Sequence, residues 1–364
     1  MMETVAYILL GFALLRLLVA LVNLVFRQSL LEADTSNDLV SVIVPVRNEA
    51  ENLEPLLLDL QKQTQRNFEI RIFDDQSTDQ TASIVRQFAE NDSRISLLHS
   101  NNLPSGWLGK NHACHHASLG ATGKWLLFLD ADVRLKPDAL ALAVGRLKKQ
   151  RLGLLSIFPR QTMLTLGEQL TVPVINQILL SLLPLILVRK SRMTAFSGAN
   201  GQFMLFDGAL YRAVKPHERF RGEKVEDLKI ARYLKRQKVR IAFLASETKV
   251  SCRMYGGYNE AINGFSKNLI QIFGGSALLA SLYWLSTTIG FLPVLLALGF
   301  NSFLLYVVLS VLTRMLVSIT SHQSCTKNFG NSIFQQLLLG WMILQAIWLN
   351  HQKKLIWKDR NISI

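Results

Sequence analysis

The stretch Val40-Ser41-Val42-Ile43-Val44-Pro45-Val46, which continues into Arg47-Asn48-Glu49, decides how the rest of the chain is interpreted. Its β-branched, apolar residues form a short continuous run, as expected of a strand buried on both faces of a parallel sheet. The polar residues end this run, and leucines then recur at helical spacing at Leu53, Leu56, Leu57 and Leu60. The stretch therefore predicts a strand, a turn and a helix.

The same alternation continues downstream. Further strands are predicted at Phe68–Phe73, Ile95–Leu98 and Trp125–Leu129. Helices are expected to begin near Thr81 and to cover Asn111–Leu119. Because strands that alternate with helices form parallel sheets covered on both faces, we expect an α/β fold with a mostly parallel sheet.

Polar residues collect where three of these strands end. They are Arg47 and Glu49, then Asp74 and Asp75, then Asp130 and Asp132. Ligands of open α/β sheets bind at the carboxyl ends of the strands, so these side chains are expected to share one crevice. The chain has no G-x-G-x-x-G after the first strand and no P-loop motif, which argues against a dinucleotide or P-loop site.

The pair Asp130 and Asp132 has two interpretations. Two carboxylates at the end of a buried strand are costly unless their charge is offset, and Mg²⁺ or Mn²⁺ prefers such oxygen ligands. Such an ion can also stabilise a departing diphosphate. Alternatively, Asp132 or Asp138 caps the helix expected after Pro137.

Composition limits the class of protein. Of 364 residues 49% are hydrophobic and 18% are charged, which excludes a disordered chain. The three scattered cysteines, Cys114, Cys252 and Cys325, exclude a disulfide scaffold. A net charge of +14 is compatible with nucleic acid or with an anionic membrane. No aromatic-studded basic patch or recognition helix appears, so we expect a membrane and no nucleic acid.

Four apolar stretches approach the length that spans a bilayer: Val5–Phe26, Ala277–Phe300, Ser302–Ile319 and Ile333–Leu349. The first lacks a basic n-region and a cleavage site, so residues 1–27 are interpreted as an anchor in preference to a secretory signal. Leu170–Val188 is apolar but contains two prolines, and it is interpreted as interfacial or re-entrant helices.

These stretches predict four parts, with boundaries at 1–27, 40–275, 277–350 and 351–364. The Lys/Arg-rich flanks, Arg27 and Lys267, place the domain 40–275 in the cytoplasm. Three membrane spans after residue 275 would put the basic tail 351–364 outside the cell. The positive-inside rule, however, places this tail inside. The number of late spans therefore stays open.

Four motifs in order resemble those of family 2 glycosyltransferases over Ser41–Gly275. They are VSVIVPVRNEAENL, FDDQSTDQT, LFLDADV and the Glu226-Asp227 pair in EDLKIARYL. Further segments resemble the membrane-bound carotenoid- and hopanoid-associated members: Gly106-Trp107-Leu108-Gly109-Lys110, Arg253-Met254-Tyr255, Gly264-Phe265-Ser266-Lys267-Asn268 and Trp357-Lys358-Asp359-Arg360. The Q-x-x-R-W motif of processive synthases is absent from the sequence.

The resemblance implies an A-type glycosyltransferase fold in a bacterial cell membrane. It implies an inverting, metal-dependent transfer from a nucleotide-diphosphate sugar to a hydroxyl or carboxyl of a membrane lipid. Asp227, beside Glu226, would be the general base, and Asp132 and Asp130 would hold the divalent cation. The donor would contact Pro45, Arg47, Glu49, Asp74, Asp75, Lys110 and Asp130.

The acceptor side is expected at Gly198 and Asn200, and at Phe265 and Lys267. The lipid would be a carotenoid, a triterpenoid or a related compound. Two alternatives stay open: a polyprenyl-phosphate glycosyltransferase, and a non-catalytic membrane scaffold that binds nucleotide sugar. For the residues alone, Glu226-Asp227 is also compatible with a solvated pair at a helix start, and Ser197–Gly201 with a hairpin turn.

Two weaker signals remain. His112, His115 and His116 share one predicted helix, and a helix face is the preferred interpretation over a metal site. Arg16 and Arg314 lie inside apolar stretches, where a functional role, snorkelling or an interhelical partner are all compatible with the sequence.

Overall fold

The protein is described from a computed structural model, which covers residues 1–31, 33, 37–100 and 102–352 and the backbone of residues 356–357 and 360–361. Eight strands form one sheet: β1 Val40–Val46, β2 Phe68–Asp74, β3 Ile95–His99, β4 Trp125–Leu129, β5 Val133–Leu135, β6 Leu154–Gln161, β7 Phe203–Asp207 and β8 Ile241–Cys252. Their order across the sheet is β3-β2-β1-β4-β7-β6-β8-β5.

The other described elements are sixteen helices, a 3₁₀ turn and a separate antiparallel strand pair, β9 Ile356–Trp357 and β10 Arg360–Asn361. In the polar region they are α2 Ala50–Gln61, α3 Thr81–Asn91, α4 Gly109–Leu119, α5 Ala139–Gln150, α6 Leu166–Thr171, α7 Pro173–Leu182, α8 Leu185–Lys190, the 3₁₀ turn Thr194–Phe196, α9 Gly208–Val214, α10 Pro216–Arg219, α11 Glu226–Arg236 and α12 Tyr258–Ile272. The terminal apolar regions contain α1 Met2–Val25, α13 Ala277–Thr288, α14 Phe291–Thr320, α15 Cys325–Gly330 and α16 Ser332–Gln352.

The four predicted strands are present, and the pairs β1–β2, β2–β3, β1–β4 and β6–β8 are parallel. The sequence patterns did not predict β5 to β8, and of these β7 runs antiparallel between β4 and β6. In this register Leu129 pairs with Phe203, so the end of β4 faces the start of β7. The turn before β7 is thereby placed at the carboxyl end of β4, where Asp130 follows.

Strand β1 is covered on both faces, as its continuous apolar run predicts. Val42 and Val44 belong to an apolar core with Leu56 of α2 and Val144 of α5. The neighbouring Ile43 points the other way, into a second core with α4 and α11. The sheet therefore has a helical layer on each side, and its polar strand ends lie at one edge.

Three helical segments among the described residues are long and apolar enough to cross a membrane: Met2–Val25, Ala277–Thr320 and Ser332–Gln352. The second is 44 residues long, but it is not straight. It breaks at Gly290 between α13 and α14, and Gly299 interrupts α14 with φ 77° and ψ −178°, a conformation that glycine adopts readily.

The chain reverses direction at Gly299. The rings of Phe291 and Phe303 lie 6.1 Å apart, whereas a straight helix would separate them by about 18 Å. The Tyr306 hydroxyl likewise donates to the carbonyl of Ser286. Residues 277–298 and 300–320 are therefore two antiparallel arms, which coincide with the two stretches predicted at Ala277–Phe300 and Ser302–Ile319.

Helix α16 is bound to the helices of the polar region. Gln335 donates to the Gln169 carbonyl of α6 at 3.0 Å, and Gln345 donates to Asn263 of α12 at 2.8 Å. Between these contacts, Leu339 and Met342 pack in one apolar cluster with α12 and α13. Helix α16 therefore lies along this surface. Most of the predicted tail, 351–364, lies outside the described residues.

The stretch predicted as an interfacial helix pair, 170–188, contains the end of α6 and two short helices, α7 and α8. Asn23 of α1 donates to the carbonyls of Leu180 and Leu183, both at 2.9 Å, and accepts from the amide of Leu185. The connection between α7 and α8 is therefore hydrogen-bonded to the N-terminal helix α1.

Candidate active site

The loops after β1 and β2 are joined by hydrogen bonds. Arg47 donates from Nη1 to the carbonyl of Asp75 at 2.6 Å, and the Asn48 amide donates to Ser77 Oγ at 3.0 Å. The Glu49 amide donates to Thr81 Oγ1 at 2.9 Å, at the start of α3. These two loops, which the sequence predicted to converge, form one rigid edge of the crevice.

Asp74 and Asp75 are buried at the end of β2. Asp74 Oδ1 accepts the Ser77 amide at 2.9 Å, which shapes the turn, and its Oδ2 lies 3.8 Å from His99 Nδ1. The Asp75 amide donates to the Val46 carbonyl at 2.9 Å, and Val46 follows Pro45 in β1. Asp74 therefore supports the turn, while Asp75 follows directly at the carboxyl end of the strand.

Lys110 occupies the centre of the site. Its Nζ lies 2.7 Å from one oxygen of Asp130 and 4.0 Å from Glu226 Oε1, and it donates to the Gly201 carbonyl at 3.4 Å. Burial alone would lower the pKa of Lys110, but the carboxylates of Asp130 and Glu226 raise it above its ordinary value. The side chain is therefore a fixed positive charge between β4 and α11.

Asp132 is held by two side chains that the sequence analysis did not single out. Gln202 Nε2 donates to Asp132 Oδ2 at 3.1 Å, and the Cys252 thiol donates to the same oxygen at 3.2 Å. Burial and the nearby Asp130 carboxylate raise the pKa of Asp132 to about 7. Asp132 caps no helix: α5 begins after Asp138, whose carboxylate instead accepts from Lys249 at 2.6 Å.

This arrangement fits a divalent cation that is anchored by few protein ligands. Within the described ranges there is no cluster of three or more His, Cys, Asp or Glu residues able to hold a metal. Mg²⁺ is commonly held by one or two carboxylates, with substrate phosphates and water completing its shell. Asp132 has no lysine or arginine salt bridge among the described pairs, whereas Asp130 is already paired with Lys110.

Asp227 lies in the first turn of α11, and its carboxylate faces the turn before β7, which contains Gly201. Its Oδ2 accepts the Gly201 amide at 2.9 Å, and its Oδ1 accepts the Leu228 amide at 2.7 Å. Burial raises the pKa of Asp227 above its ordinary value. Burial also raises the pKa of the neighbouring Glu226 to about 8, although Lys110 opposes this shift. The pair is thus packed into the site and is not a solvated helix start.

The turn Asn200-Gly201-Gln202 connects all of these groups. Gly201 contacts Asp227 and Lys110, and Gln202 contacts Asp132. Asn200 is fixed in turn, since its amide donates to Ser156 Oγ at 2.8 Å and its Oδ1 accepts the Gln202 amide at 3.0 Å. The run Gly-Ala-Asn-Gly-Gln indicates a turn in the sequence. Its position beside Asp130, however, follows only from the pairing of β7 with β4.

The other predicted acceptor-side residues lie in apolar surroundings. A Cβ on Gly198 would come within 2.6 Å of Phe243 and 2.9 Å of Leu183, so this glycine allows close packing. Phe265 packs in the cluster around α12 and α16, and burial lowers the pKa of Lys267. Their roles toward an acceptor stay predictions.

The three histidines of α4 surround an indole ring. Trp107 lies 5.3 Å from the ring of His115 and 5.6 Å from that of His112, and the His112 and His116 rings are 4.2 Å apart. His112 and His115 are buried. His116 is exposed, so the three histidines form a helix face that is part of an aromatic cluster and remains partly open to solvent.

Comparison with known proteins agrees with this fold. Residues 41–183 match the family model described as Glycosyl transferase family 2. The mannosyltransferase PcManGT from Pyrobaculum calidifontis, solved in complex with GDP-Man and Mn²⁺, aligns with a TM-score of 0.58 at 19% identity, over 96% of this chain and 99% of that one. The structure thus has the A-type glycosyltransferase fold, with apolar helices at both ends.

Two curated relatives that carry the same name are also similar to this chain. The chain is 27% identical over 247 residues to the 4,4'-diaponeurosporenoate glycosyltransferase of Staphylococcus haemolyticus (strain JCSC1435), over 65% of this chain and 62% of that protein. It is 30% identical over 138 residues to the protein of the same name from Staphylococcus aureus (strain USA300), over 36% of each chain. The chain is therefore similar to these two relatives over part of its length, and it spans 62% or less of their own length.

Proposed function

We propose that the protein is an inverting glycosyltransferase that moves a sugar from a nucleotide-diphosphate donor to a hydroxyl or carboxyl of a membrane lipid. The observation that carries this proposal is the turn Asn200-Gly201-Gln202. It holds Asp227 on one side and Asp132 on the other, with Lys110 between them. The proposed base, the proposed cation ligand and a fixed positive charge would thus meet at the ends of the strands.

The donor would lie along the edge formed by the loops after β1 and β2. Asp75 would contact the base or ribose, as the family resemblance implies, with Asp74 shaping its turn. Pro45 and Glu49 flank the same edge, and Arg47 can reach phosphate oxygens. Lys110 and Asp130 would lie at the diphosphate, where the lysine offsets negative charge.

Asp132, with Asp130 beside it, would hold Mg²⁺ or Mn²⁺. Bound there, the ion would supply Lewis-acid stabilisation of the departing diphosphate. Gln202 and Cys252 fix the Asp132 carboxylate, so the ligand is oriented before the ion arrives. The complex of the mannosyltransferase PcManGT with GDP-Man and Mn²⁺ supports a cation in this fold.

Asp227 would act as the general base. The acceptor oxygen forms a bond to the anomeric carbon, the bond from that carbon to the diphosphate breaks, and the acceptor proton passes to Asp227. The raised pKa of Asp227 suits this role, because a base whose pKa approaches the working pH accepts a proton more readily. The two backbone amides hold its carboxylate in position.

A lipid acceptor is supported by the helices that surround the domain. The segments α1 and 277–320 are suited to the bilayer, and α7 and α8 bind to α1. The names of the two staphylococcal relatives favour a carotenoid-type acceptor. The acceptor would reach Asp227 past Asn200 and Gly198.

For the topology, we infer three crossings. Helix α1 and the two arms 277–298 and 300–320 would span the membrane, while α16 would lie along its cytoplasmic surface. The polar bonds of α16 to α6 and α12 support this, as does its outward apolar row of Ile333, Leu337, Trp341, Leu344 and Trp348. This arrangement puts the basic tail on the same side as the catalytic domain, in agreement with the charge rule.

The test is a comparison of lipid extracts from cells with and without the protein by mass spectrometry. The proposal predicts lipids that gain one hexose-sized mass only when the protein is expressed. If the increment appears only on polysaccharide, or on no molecule, the lipid-glycosylation proposal is wrong.

A further inference from the structure

Two arginines lie within the apolar helices, away from the candidate active site. Arg16 is buried in α1, and its guanidinium donates to Ser181 Oγ at 3.3 Å and to the Tyr283 hydroxyl at 3.5 Å. Arg314 of α14 donates to Gln335 Oε1 and to the carbonyl of Asn328. Across the part of the chain that the structure describes, all of these partners are neutral.

Both arginines line one pocket of about 350 Å³. Its polar wall consists of Gln177, Thr287, Ser310 and Gln336. Its remaining wall includes Phe329, Ile333 and Leu337, which are about half exposed or more. The pocket thus has a charged interior and an apolar rim that faces the surroundings of the helices.

The depth of the pocket follows from the helix geometry. Arg16 precedes the end of α1 at Val25 by about 13 Å, and Arg314 precedes the end of α14 at Thr320 by about 9 Å, at 1.5 Å per residue. Both helices end on the side of the catalytic domain. In the topology inferred above, the two guanidiniums would lie below the membrane surface on that side, within reach of the head groups of that leaflet.

Two positive charges in one partly desolvated pocket require compensation. Ionisable residues inside membrane segments are costly, and unpaired buried charges are strongly destabilising. Their hydroxyl, amide and carbonyl partners orient the guanidiniums, and the rings of Phe12 and Tyr283 lie 5.9 and 5.3 Å from the guanidinium of Arg16, but all of these groups are neutral and carry no negative charge. A guanidinium binds a carboxylate or a phosphate through paired hydrogen bonds, so an anion is the complementary ligand.

We propose that this pocket is a binding site for one membrane lipid with an anionic head group, a phosphate or a carboxylate. The head group lies between Arg16 and Arg314. Its acyl chain leaves along Ile333 and Leu337 on α16 and enters the bilayer. This site is separate from the sugar-transfer residues, and the proposal does not depend on the protein's being a glycosyltransferase.

Native mass spectrometry of the full, detergent-purified chain tests the proposal. The protein is titrated with phosphatidylglycerol, with palmitate and, as a zwitterionic reference, with phosphatidylcholine. We expect one tightly bound phosphatidylglycerol or palmitate, with at least about tenfold preference over phosphatidylcholine. The anionic lipid that binds identifies the head group as a phosphate or a carboxylate.

Variants separate the pocket from general charge effects. Arg16→Gln and Arg314→Gln should each weaken this binding by about tenfold or more, because each removes charge-assisted hydrogen bonds. Arg27→Gln, at an exposed arginine just beyond the same helix as Arg16, is the matched control and should leave binding unchanged. Leu337→Trp keeps both arginines and should weaken binding by filling the rim, which covers the case in which an arginine variant does not fold.

Two results would overturn the proposal. One is equal retention of phosphatidylcholine and of both anionic lipids by the wild-type chain. The other is an equal loss of binding in Arg27→Gln and in the pocket variants, since this would reveal a diffuse surface attraction.

Discussion

The ammonium of Lys110 lies 2.7 Å from the carboxylate of Asp130, at the point where the first turn of α4 meets the end of β4. The two side chains are each about one-quarter exposed, at 27% and 25%. Glu226 adds a second acidic group 4.0 Å from the same ammonium. Lys110 therefore connects the end of β4 to α11, the helix that carries Asp227.

Replacing Lys110 should destabilise the protein and weaken donor binding. Lys110→Met leaves the Asp130 carboxylate and the Glu226 side chain without their cation, and we expect a loss of about 1–2 kcal/mol in the free energy of unfolding, since the Lys110–Asp130 pair is partly solvated. Denaturation in detergent measures it. The double variant Lys110→Met with Asp130→Asn should recover part of the loss.

The surface pair Lys249–Asp138 provides the control for Lys110. Lys249→Met should cost less than about 1 kcal/mol because exposed ion pairs contribute little. Equal losses for the two lysine variants would show that Lys110 has no special place in the site.

Asp132→Asn should reduce the affinity for Mn²⁺ measured in the presence of a nucleoside diphosphate. We expect a loss of about 10–100-fold, because the variant removes the carboxylate that Gln202 and Cys252 orient. Isothermal titration measures it with UDP and with GDP. Asp138→Asn is the matched control and should bind as wild type; a parallel loss there would mean that the effect is not specific to the site.

Stability should depend on pH through Glu226. Its pKa is about 8 in the folded protein against an ordinary value of 4.5, so the fold favours the protonated form. Glu226 therefore contributes stability below about pH 4.5 that is lost as the pH rises through 8. Melting temperatures should fall from pH 5 to 8 more steeply for wild type than for Glu226→Gln. Identical slopes would contradict the burial of this carboxyl.

Gly198→Ala should destabilise the protein by about 1–3 kcal/mol, since the new methyl group would overlap Phe243 and Leu183. It should also lower sugar transfer, because the shift would reach Asn200 and Gly201. Gly257→Ala has open space around its Cβ and is expected to be neutral. Circular dichroism melts and lipid extracts compare the two. Equal stability of both variants would show that the turn tolerates movement.

The sequence predicted the first half of the sheet well, because β1 to β4 are local patterns of apolar runs followed by polar turns. It did not predict β7, whose antiparallel place between β4 and β6 depends on contacts distant in sequence. Gln202 and Cys252 were missed for the same reason. Only the fold brings them, from positions 70 and 120 residues beyond Asp132, to its carboxylate.

For the apolar helices at the two ends of the chain, too, the sequence predicted some features and missed others. Hydropathy located the helices, and the charge rule exposed a conflict over the tail. Hydropathy alone could not show that the chain reverses at Gly299 or that α16 bonds to α6 and α12. These contacts support two membrane crossings after residue 275, which bring the chain back to the side of the catalytic domain.

The inferred topology can be checked by cysteine labelling in intact cells, on a Cys325→Ser background. A cysteine at Glu3→Cys should react with a membrane-impermeant maleimide added outside. A cysteine at Asn350→Cys, at the end of α16, should react only after permeabilisation. Labelling of Asn350→Cys in intact cells would contradict the surface position of α16.

Asp227 is proposed as the base of a sugar transfer to lipid, and the variant Asp227→Asn tests this role. The amide keeps the shape of the side chain but cannot accept the proton. Lipid extracts of cells expressing this variant should lose the hexose-sized increment by about 10²–10⁴-fold, while the purified variant still binds UDP or GDP as wild type does. Glu223→Gln, at the nearby pair with Lys229, should keep the increment. An unchanged increment in Asp227→Asn would contradict the assignment of Asp227 as the base.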